Sequence, residues 1–578
     1  MDTVPRPAKL SRLGPPGLVV AATFLAFLPG LWNGFVNWDD GANFLDNPHY
    51  RGLSPSHLVW MFSTFHMGHY QPLTWLTLGL DHAIWGMNPK GYHLTSLLLH
   101  AANAALLYLL IHRLLPRIAP GLDEKKGRWA AALGALFHAV HPLRVESVTW
   151  ITERRDVLAG LFFLLAILAY LRMHTEEDRG GPRGRWLALS AACFAGSLLS
   201  KALGIMLPAA LLALDVWPLG RWRAGLRRRV LLEKGLFALI AAADAAVMLR
   251  AMGQIQALQR AEGYDVAARV MQGAYGLCFY VWKTLLPLDL SPLYLLESRM
   301  DPSAAKYVVC LLLCVVAGVI LMLLARRRPG WAVAAFCYAA LVAPVLGFVV
   351  TGQQIVADRY SYLSCIPFAA LVAAALGQAA MSRWRGGVAA AALLLLGGLT
   401  AWQVTRWHDS ITLWSHAIRL DPGHTVAYTN RGLARQLQGD LAGAFADLDA
   451  ALRINPGNAD ALMNRGNLRE QKEDVQGAFA DCDRAISISP GLAQAWSNRG
   501  RLKLLRNDRE GAAADCSEAI RLSPGLPEPR AVRGLARESL GDAAGAAADY
   551  EAALRLAPPE WPQRTNVERF LRRARGPR

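Results

Sequence analysis

Two adjacent carboxylates, Asp39 and Asp40, are the first residues whose type and position suggest chemistry. They directly follow an apolar stretch near residues 17–37, so a helix that ends there holds them at a bilayer surface. A carboxylate in that position could remove the proton of an incoming hydroxyl group, and two could bind Mg²⁺ or Mn²⁺. The alternative is that this acidic pair only ends a helix in water.

Polar residues at the edges of later apolar stretches could act with the acidic pair. A reaction with an anionic leaving group needs cations nearby, and the cations predicted to lie on the same side are Arg154, Arg155, Lys201 and Arg359. An interfacial arginine can instead simply extend to the headgroups, and Asp156 can simply pair with Arg154 or Arg155. His93 and His100 share one helix face, where packing or hydrogen bonding is the alternative to a proton path.

Apolar stretches recur throughout roughly the first 404 residues at lengths suited to crossing a bilayer. We count eleven of them, near residues 17–37, 92–112, 129–141, 156–172, 186–199, 202–219, 235–251, 304–325, 331–350, 363–381 and 387–404. The sequence therefore predicts a polytopic membrane domain over residues 1–404.

Positive charge is concentrated in loops that alternate along this membrane domain. The basic runs are Arg6 to Arg12, Arg113 to Arg128, Arg172 to Arg185, Arg221 to Lys234, Arg326 to Arg328, and Arg383 with Arg385. Because cytoplasmic loops are enriched in Lys and Arg, an odd number of spans predicts a cytoplasmic N-terminus and a non-cytosolic C-terminal region. Topology accounts for the net charge of +17 better than binding to nucleic acid does, so no nucleic-acid partner is predicted.

Prolines recur every 34 residues in the C-terminal region, at Pro422, Pro456, Pro490, Pro524 and Pro558. This period is typical of tetratricopeptide repeats, in which pairs of helices stack into an α-solenoid. Small residues recur in register, with Gly432, Gly466, Gly500 and Gly534 in the first helices. The prediction is a repeat domain over residues 405–578, with repeats near 425–458, 459–492, 493–526 and 527–560 after a half-repeat.

Asn430, Asn464 and Asn498 occupy one position of successive first helices, the helices that line the concave face of such a solenoid. A row of carboxamides can hold a peptide backbone, because each side chain both donates and accepts hydrogen bonds. The row is thus a candidate acceptor-peptide site. The alternative is that these asparagines only bridge neighbouring repeats.

Several segments together resemble the transmembrane and tetratricopeptide-repeat (TMTC) family. They are Trp38-Asp39-Asp40, HYQPLTWLTL at 69–78, GMNPKGYHLTSLLLHAANAALLY at 86–108, HPLRVESVTWITERRDVLAGLFFLLAILAY at 141–170, LLSKALGI at 198–205 and ADRYSYLSCIPF at 357–368. The resemblance implies a GT-C-type glycosyltransferase that takes sugar from a polyprenyl-phosphate donor. It also implies a protein hydroxyl as acceptor, on the non-cytosolic side.

The same resemblance assigns roles to single residues. It implies that Asp39 or Asp40 is the base or the carboxylate that orients the acceptor, and that Arg359 contacts the donor phosphate. It adds His141 and Glu146 as matching positions. Gln71 departs from the family pattern, in which arginine is usual before the proline. The sugar that this protein transfers therefore need not be the one that the family transfers.

The sequence thus predicts an all-α chain, a GT-C-type membrane domain followed by a repeat arm that recruits secreted or membrane proteins. The composition is rich in Ala and Arg, as in GC-rich bacteria, which favours an inner-membrane protein with periplasmic repeats. Two other classes stay open: a non-catalytic membrane-anchored scaffold, and a transporter of lipid-linked sugars.

Overall fold

A computed structural model describes residues 14–177, 183–222, 225–254, 265–297, 300–347, 353–378, 383–558 and 561–576. The basic residues Arg6, Lys9 and Arg12, and parts of the runs Arg172 to Arg185 and Arg221 to Lys234, lie outside these ranges. Within them the chain is mostly helical with almost no strand, which confirms the all-α prediction. Two short strands, β1 (Tyr294–Leu295) and β2 (Gln354–Val356), pair antiparallel.

The chain forms two compact units. The membrane unit comprises residues 1–36 and 49–409, and the repeat unit comprises residues 37–48 and 410–578. The division near residue 409 lies close to the domain boundary predicted at 404/405. Residues 37–48, which carry the acidic pair, group with the repeats although they lie far from them in sequence.

The membrane unit contains sixteen α-helices in its described residues. They are α1 (Gly14–Phe27), α2 (Pro55–Ser63), α3 (Pro72–Trp85), α4 (Pro89–Ile118), α5 (Glu124–Ala139), α6 (Val145–Thr149), α7 (Arg154–Glu177), α8 (Arg183–Ser200), α9 (Leu207–Val216), α10 (Arg227–Gln254), α11 (Val266–Leu285), α12 (Ala305–Leu324), α13 (Pro329–Val342), α14 (Ser361–Ser364), α15 (Ile366–Gln378) and α16 (Arg383–Val404).

Five helical segments of the described residues are long and apolar enough to cross a membrane, or six if the bent pair at 358–378 is one span. The five are Gly14–Trp32, Pro89–Ile118, Ile151–Thr175, Ala305–Leu324 and Trp384–Trp407. The predicted stretches near 202–219 and 331–350 correspond to shorter apolar helices. The protein is thus a membrane protein, and the count of eleven spans stays a prediction.

Small residues allow close helix packing in the membrane unit. A Cβ atom on Gly134 of α5 would lie 2.4 Å from the carbonyl oxygen of Ala369 on α15. A Cβ atom on Gly160 of α7 would lie 2.7 Å from the Tyr362 ring. Gly134 therefore lets the backbones of α5 and α15 approach, and Gly160 leaves room for the Tyr362 ring against α7. Small residues of this kind allow the close packing that holds helices together in lipid.

The repeat unit contains ten α-helices in its described residues: α17 (Ser410–Leu420), α18 (Thr425–Leu437), α19 (Leu441–Ile454), α20 (Ala459–Gln471), α21 (Val475–Ile488), α22 (Ala493–Leu505), α23 (Arg509–Leu522), α24 (Glu528–Ser539), α25 (Ala543–Leu556) and α26 (Arg564–Arg575). A single helix, α17, comes before the four helix pairs. Helix α26 packs Val567 and Phe570 against the last pair.

The recurring glycines lie where the two helices of a repeat cross. A Cβ atom on Gly500 would lie 2.8 Å from Sγ of Cys516, and one on Gly534 would lie 2.4 Å from the Tyr550 ring. The second helix of each repeat begins at an aspartate whose side chain accepts a hydrogen bond from the glycine three residues later; these aspartates are Asp440, Asp474, Asp508 and Asp542. Each one satisfies a backbone N–H that the helix start would leave unpaired.

Candidate functional site

A cluster of six charged side chains gathers at one end of the membrane unit. We call Glu146, Glu153, Arg155, Asp156, Lys201 and Arg359 the charged cluster. Glu146 lies on α6, Glu153 ends the 3-10 turn before α7, and Arg155 and Asp156 lie in the first turn of α7. Lys201 directly follows α8, and Arg359 lies in the 3-10 turn Asp358–Tyr360. Chain segments far apart in sequence thus supply one polar site.

Glu153 is at the centre of this cluster. Its carboxylate accepts hydrogen bonds from Arg155 Nε at 3.1 Å and Nη2 at 2.7 Å, and from Lys201 Nζ at 2.6 Å. Arg359 Nε lies 3.4 Å from Glu153 Oε1. Three cations therefore surround one fully buried carboxylate, which they stabilise because a buried charge is costly unless it is paired.

The other two carboxylates of the cluster each pair with one of these cations. Glu146 pairs with the Arg359 guanidinium and also accepts a hydrogen bond from the Arg359 backbone N–H at 2.8 Å. Asp156 Oδ1 lies 2.7 Å from Lys201 Nζ, and its Oδ2 accepts a hydrogen bond from Ser147 at 2.9 Å. Arg359 and Lys201 are thus each held by two carboxylates.

The cations are the more accessible members of the cluster. The Lys201 side chain is 16% exposed, whereas those of Glu153 and Asp156 are 0% exposed. The side chains of Arg155 and Arg359 are 9% and 8% exposed, and that of Glu146 is 3% exposed. An anion that approaches the cluster would meet positive charge first.

His69, from the HYQP segment, lies within the electrostatic reach of this cluster. Burial and then the positive charges of Arg155, Lys201 and Arg359, opposed by Glu153, lower the pKa of His69 to about 3. His69 is therefore neutral near pH 7 and can both donate and accept a hydrogen bond. Burial also raises the pKa of Glu146, which Arg359 partly offsets.

Three predicted site residues lie elsewhere in the membrane unit. Arg154 is fully buried and pairs with Asp81 of α3, and it donates to the Tyr92 carbonyl at 2.5 Å. His141 caps a short turn by accepting from the Leu143 N–H, and its Nε2 lies 3.0 Å from the Thr284 carbonyl. His93 is buried on α4. The contacts of Arg154 and His141 are those of structural residues.

The acidic pair lies in the repeat unit. Asp40 is 1% exposed, and Asp39 is half-buried. Residues Gly41–Leu45 follow as a turn of π-helix, a conformation that is frequent at functional sites. Among the described residues no group of three or more His, Cys, Asp or Glu is arranged to hold a metal ion, so Mg²⁺ or Mn²⁺ at Asp39 and Asp40 stays a prediction.

The predicted asparagine row differs in exposure along the repeats. Asn464 is buried, and Asn430 and Asn498 are half-buried. The residue after each position carries a stronger pattern, since Arg431, Arg465, Arg499 and Arg533 each bind an aspartate 16 residues later through two nitrogens. Two of these arginines also reach the preceding repeat: Arg465 binds Asp449 at 2.7 Å and Arg499 binds Asp483 at 2.6 Å.

A second buried charged group lies at the other end of α7. Lys234 Nζ lies 2.5 Å from Asp215, and Arg221 bonds both Asp215 at 2.9 Å and Glu233 at 2.8 Å. The Tyr170 hydroxyl lies 2.7 Å from Asp215. Tyr170 and Asp156 are separated by about 21 Å of helix, at about 1.5 Å per residue. The two groups therefore belong to opposite ends of the helix bundle.

Sequence reasoning selected five of the six members of the charged cluster one at a time, and the structure brings those five together. It missed Glu153 and also Asp81. Both could have been found, because an acidic residue at the edge of an apolar stretch needs a partner, and Glu153 is followed directly by two arginines.

These features define a helical membrane protein with a buried charged site, joined to a solenoid of tetratricopeptide repeats. Residues 71–247 match the family model described as dolichyl-phosphate-mannose-protein mannosyltransferase, and residues 395–459 and 438–493 match a tetratricopeptide-repeat model. The first match contains every residue of the charged cluster except Arg359. The chain therefore combines a segment similar to this mannosyltransferase family with tetratricopeptide repeats, and it is similar to TMTC proteins.

Two human proteins illustrate this similarity. Protein O-mannosyl-transferase TMTC2 of Homo sapiens is 36% identical over 148 residues, which cover 26% of this chain and 16% of that protein. Protein O-mannosyl-transferase TMTC4 of Homo sapiens is 27% identical over 220 residues, which cover 36% of this chain and 30% of that protein. The chain thus spans less than a third of the length of these relatives. A thermophilic tetratricopeptide-repeat protein of Thermus thermophilus is 22% identical with a TM-score of 0.25, over 31% of this chain and 94% of that chain.

Proposed function

We propose that this protein transfers a sugar from a polyprenyl-phosphate donor to serine or threonine hydroxyls of proteins on the non-cytosolic side of the membrane. The observation that carries the proposal is the charged cluster, in which three cations surround Glu153 and are its more accessible members. The names of the relatives favour mannose as the sugar. The repeats would bind the acceptor protein.

The cations of the cluster would receive the phosphate that leaves. As the bond between the sugar and the phosphate breaks, negative charge builds up on the phosphate oxygens, and positioned cations lower the energy of that state. Lys201 is best exposed for this role, and Arg155 and Arg359 add planar donors that suit phosphate oxygens. Glu146, Glu153 and Asp156 would keep these cations in place when no donor is bound.

The acidic pair would act on the acceptor hydroxyl. The hydroxyl oxygen forms its bond to the anomeric carbon while the carbon–oxygen bond to the phosphate breaks, and the hydroxyl proton passes to Asp39 or Asp40. Attack from the face opposite the phosphate inverts the anomeric configuration. A hydroxyl is a weak acid, so the carboxylate takes the proton late, once the new bond is largely formed.

The positions of the two charged groups on α7 support the predicted topology. The group around Asp215 contains Arg221 and Lys234, which belong to a basic run predicted to be cytoplasmic. The charged cluster lies at the opposite end of α7, as a site on the non-cytosolic side requires. The location in a bacterial inner membrane, with the repeats in the periplasm, is part of the same proposal.

Intact-glycopeptide mass spectrometry of envelope proteins tests the proposal. Cells that lack the protein are complemented with wild type, Asp39→Asn, Asp40→Asn or the control Asp301→Asn. Asp301 is an exposed acid that bonds Ser303 in another loop predicted to be non-cytosolic. We expect hexose on serine or threonine to return with wild type and Asp301→Asn but not with at least one variant of the acidic pair.

Each other outcome of this experiment is informative. If no glycan changes in the deletion strain, the protein is not a transferase, and the membrane-anchored scaffold becomes the better interpretation. If both variants of the acidic pair restore every modification, the transferase can stand but its base lies elsewhere. Expression of each variant is measured by immunoblot of membranes, so that lost protein is not mistaken for lost activity.

A further inference from the structure

Asn37, two residues before the acidic pair, is bound to the first helices of the repeat array. The Asn37 side chain donates from Nδ2 to the Asn430 carbonyl at 2.7 Å, and its Oδ1 accepts from the Trp414 indole N–H at 2.8 Å. The Asn37 backbone N–H donates to the Ser410 hydroxyl at 2.9 Å. All these partners lie more than 370 residues away in sequence.

Aromatic packing strengthens this attachment. The rings of Trp38 and Trp414 meet edge to face with their centroids 5.4 Å apart, and Trp414 is fully buried. Such a pair adds stability beyond that from the burial of its area. The hydrogen bonds of Asn37 use both ends of its amide, so its orientation is fixed by two different helices, α17 and α18.

We propose that Asn37 is a positioning residue that holds the acidic pair on the first repeat. The inference rests on the proposed function, because it assumes that the acidic pair acts on an acceptor hydroxyl. Asp39 lies two residues beyond Asn37, so its Cα atom is within about 7.6 Å of that of Asn37. On the other side of the pair, the π-helical turn Gly41–Leu45 restrains the chain.

This arrangement has a specific consequence for catalysis. The contact to Asn430 engages its backbone carbonyl, while its side chain belongs to the predicted acceptor-binding row. An acceptor bound along the first repeats would therefore meet an acidic pair that is held by the same helices. Positioning of this kind affects turnover more than donor affinity, because it orients reacting groups that are already bound.

Hydrogen exchange measures the attachment without any assay of activity. The full-length protein is placed in nanodiscs of phosphatidylethanolamine and phosphatidylglycerol, and exchange of peptides that cover residues 37–48 is followed by mass spectrometry. We expect Asn37→Ala and Trp414→Phe to speed exchange there about tenfold, because each removes one or two partly buried hydrogen bonds. Ser410→Ala, a milder change, should give a smaller increase and serves if the larger changes prevent folding.

Trp561→Phe is the matched control. Trp561 is a buried tryptophan of the same unit, and its indole N–H donates to Glu528 at 2.8 Å, the distance found for Trp414 and Asn37. This variant should leave exchange at residues 37–48 unchanged and raise it near α26. Equal exchange at 37–48 in wild type and in every Asn37, Trp414 and Ser410 variant would overturn the attachment.

Kinetics then test the positioning role. The assay uses synthetic polyprenyl-phosphate mannose and a peptide from a site found in the glycopeptide experiment, and rates are expressed per folded protein. We expect Asn37→Ala to lower kcat at least tenfold with little change in the donor KM. Faster exchange with an unchanged kcat refutes positioning. If wild type is inactive with every donor, the proposed function and the catalytic part of this inference both fail, while the exchange data still decide whether the attachment exists.

Discussion

Replacement of Glu153 by glutamine is the most direct test of the charged cluster. The substitution keeps the shape of the side chain and removes the charge that Arg155, Lys201 and Arg359 share. Each cation at about 4 Å attracts that charge by about 4 kcal/mol at an effective dielectric constant near 20. Most of this attraction is offset because a neutral side chain costs less to bury. Removing one partner of a buried ion pair typically leaves a net loss of about 3–5 kcal/mol.

We therefore expect Glu153→Gln to lower the Tm of the membrane unit by roughly 5–10 °C. The measurement is thermal unfolding of the purified protein in detergent, followed by tryptophan fluorescence. The matched control is Glu297→Gln, because Glu297 pairs with Lys306 on the surface, with side chains 39% and 52% exposed. An exposed pair is worth about 1 kcal/mol or less, so this control should shift the Tm little.

A double substitution separates the lost charge from the lost packing. Lys201→Met in the Glu153→Gln protein removes one cation that the first substitution leaves unpaired. The double variant should be more stable than the sum of the single effects predicts, by about 1–3 kcal/mol. Strict additivity, or a Glu153→Gln protein as stable as wild type, would refute the account of Glu153 as the carboxylate that holds the three cations together.

Two further predictions concern pH and packing. The pKa of His69 is lowered to about 3 in the folded protein, so only the unfolded chain takes up a proton at this residue as the pH falls below about 6.5. The free energy of unfolding therefore falls between pH 6.5 and pH 3, by up to about 1.4 kcal/mol per pH unit. The Tm of His69→Gln should accordingly fall less between pH 6.5 and pH 4.5 than that of wild type, and parallel curves would contradict this. Gly534→Ala should destabilise the last repeat by about 1–2 kcal/mol, because its Cβ atom would lie 2.4 Å from Tyr550. A Cβ atom on Gly525 would meet open space, so Gly525→Ala should leave the stability unchanged. Hydrogen exchange of α24 to α26 should therefore be faster in Gly534→Ala than in Gly525→Ala.

The tetratricopeptide repeats could be predicted from the sequence because their proline and glycine positions recur every 34 residues. The 34-residue spacing placed the helix pairs and the glycines, and the structure shows why, since each glycine lies where two helices cross. The arginine that follows each asparagine was overlooked. Arginine on a surface helix is common, and only the structure shows that its partner recurs 16 residues later.

The charged cluster could be predicted only in part. Arg154 and Arg155 are neighbours in sequence, but successive residues on a helix point about 100° apart, so one meets Asp81 and the other Glu153. No local sequence pattern predicts that Arg154 contacts Asp81 and that Arg155 contacts Glu153. The grouping of Asp39 and Asp40 with the repeats was likewise beyond local reasoning, because it depends on contacts across more than 370 residues.

The arginine that joins neighbouring repeats makes the array modular. Arg465 and Arg499 each bind the aspartate of the preceding repeat with the same sequence separation. Deletion of residues 459–492 would therefore set Arg499 opposite Asp449, and the junction would be rebuilt from the same residue types. The reach of the arm could thus change by whole repeats without redesign of any interface. The two ends of the array are not interchangeable in this way, because the sequences of α17 and α26 do not recur in the inner repeats.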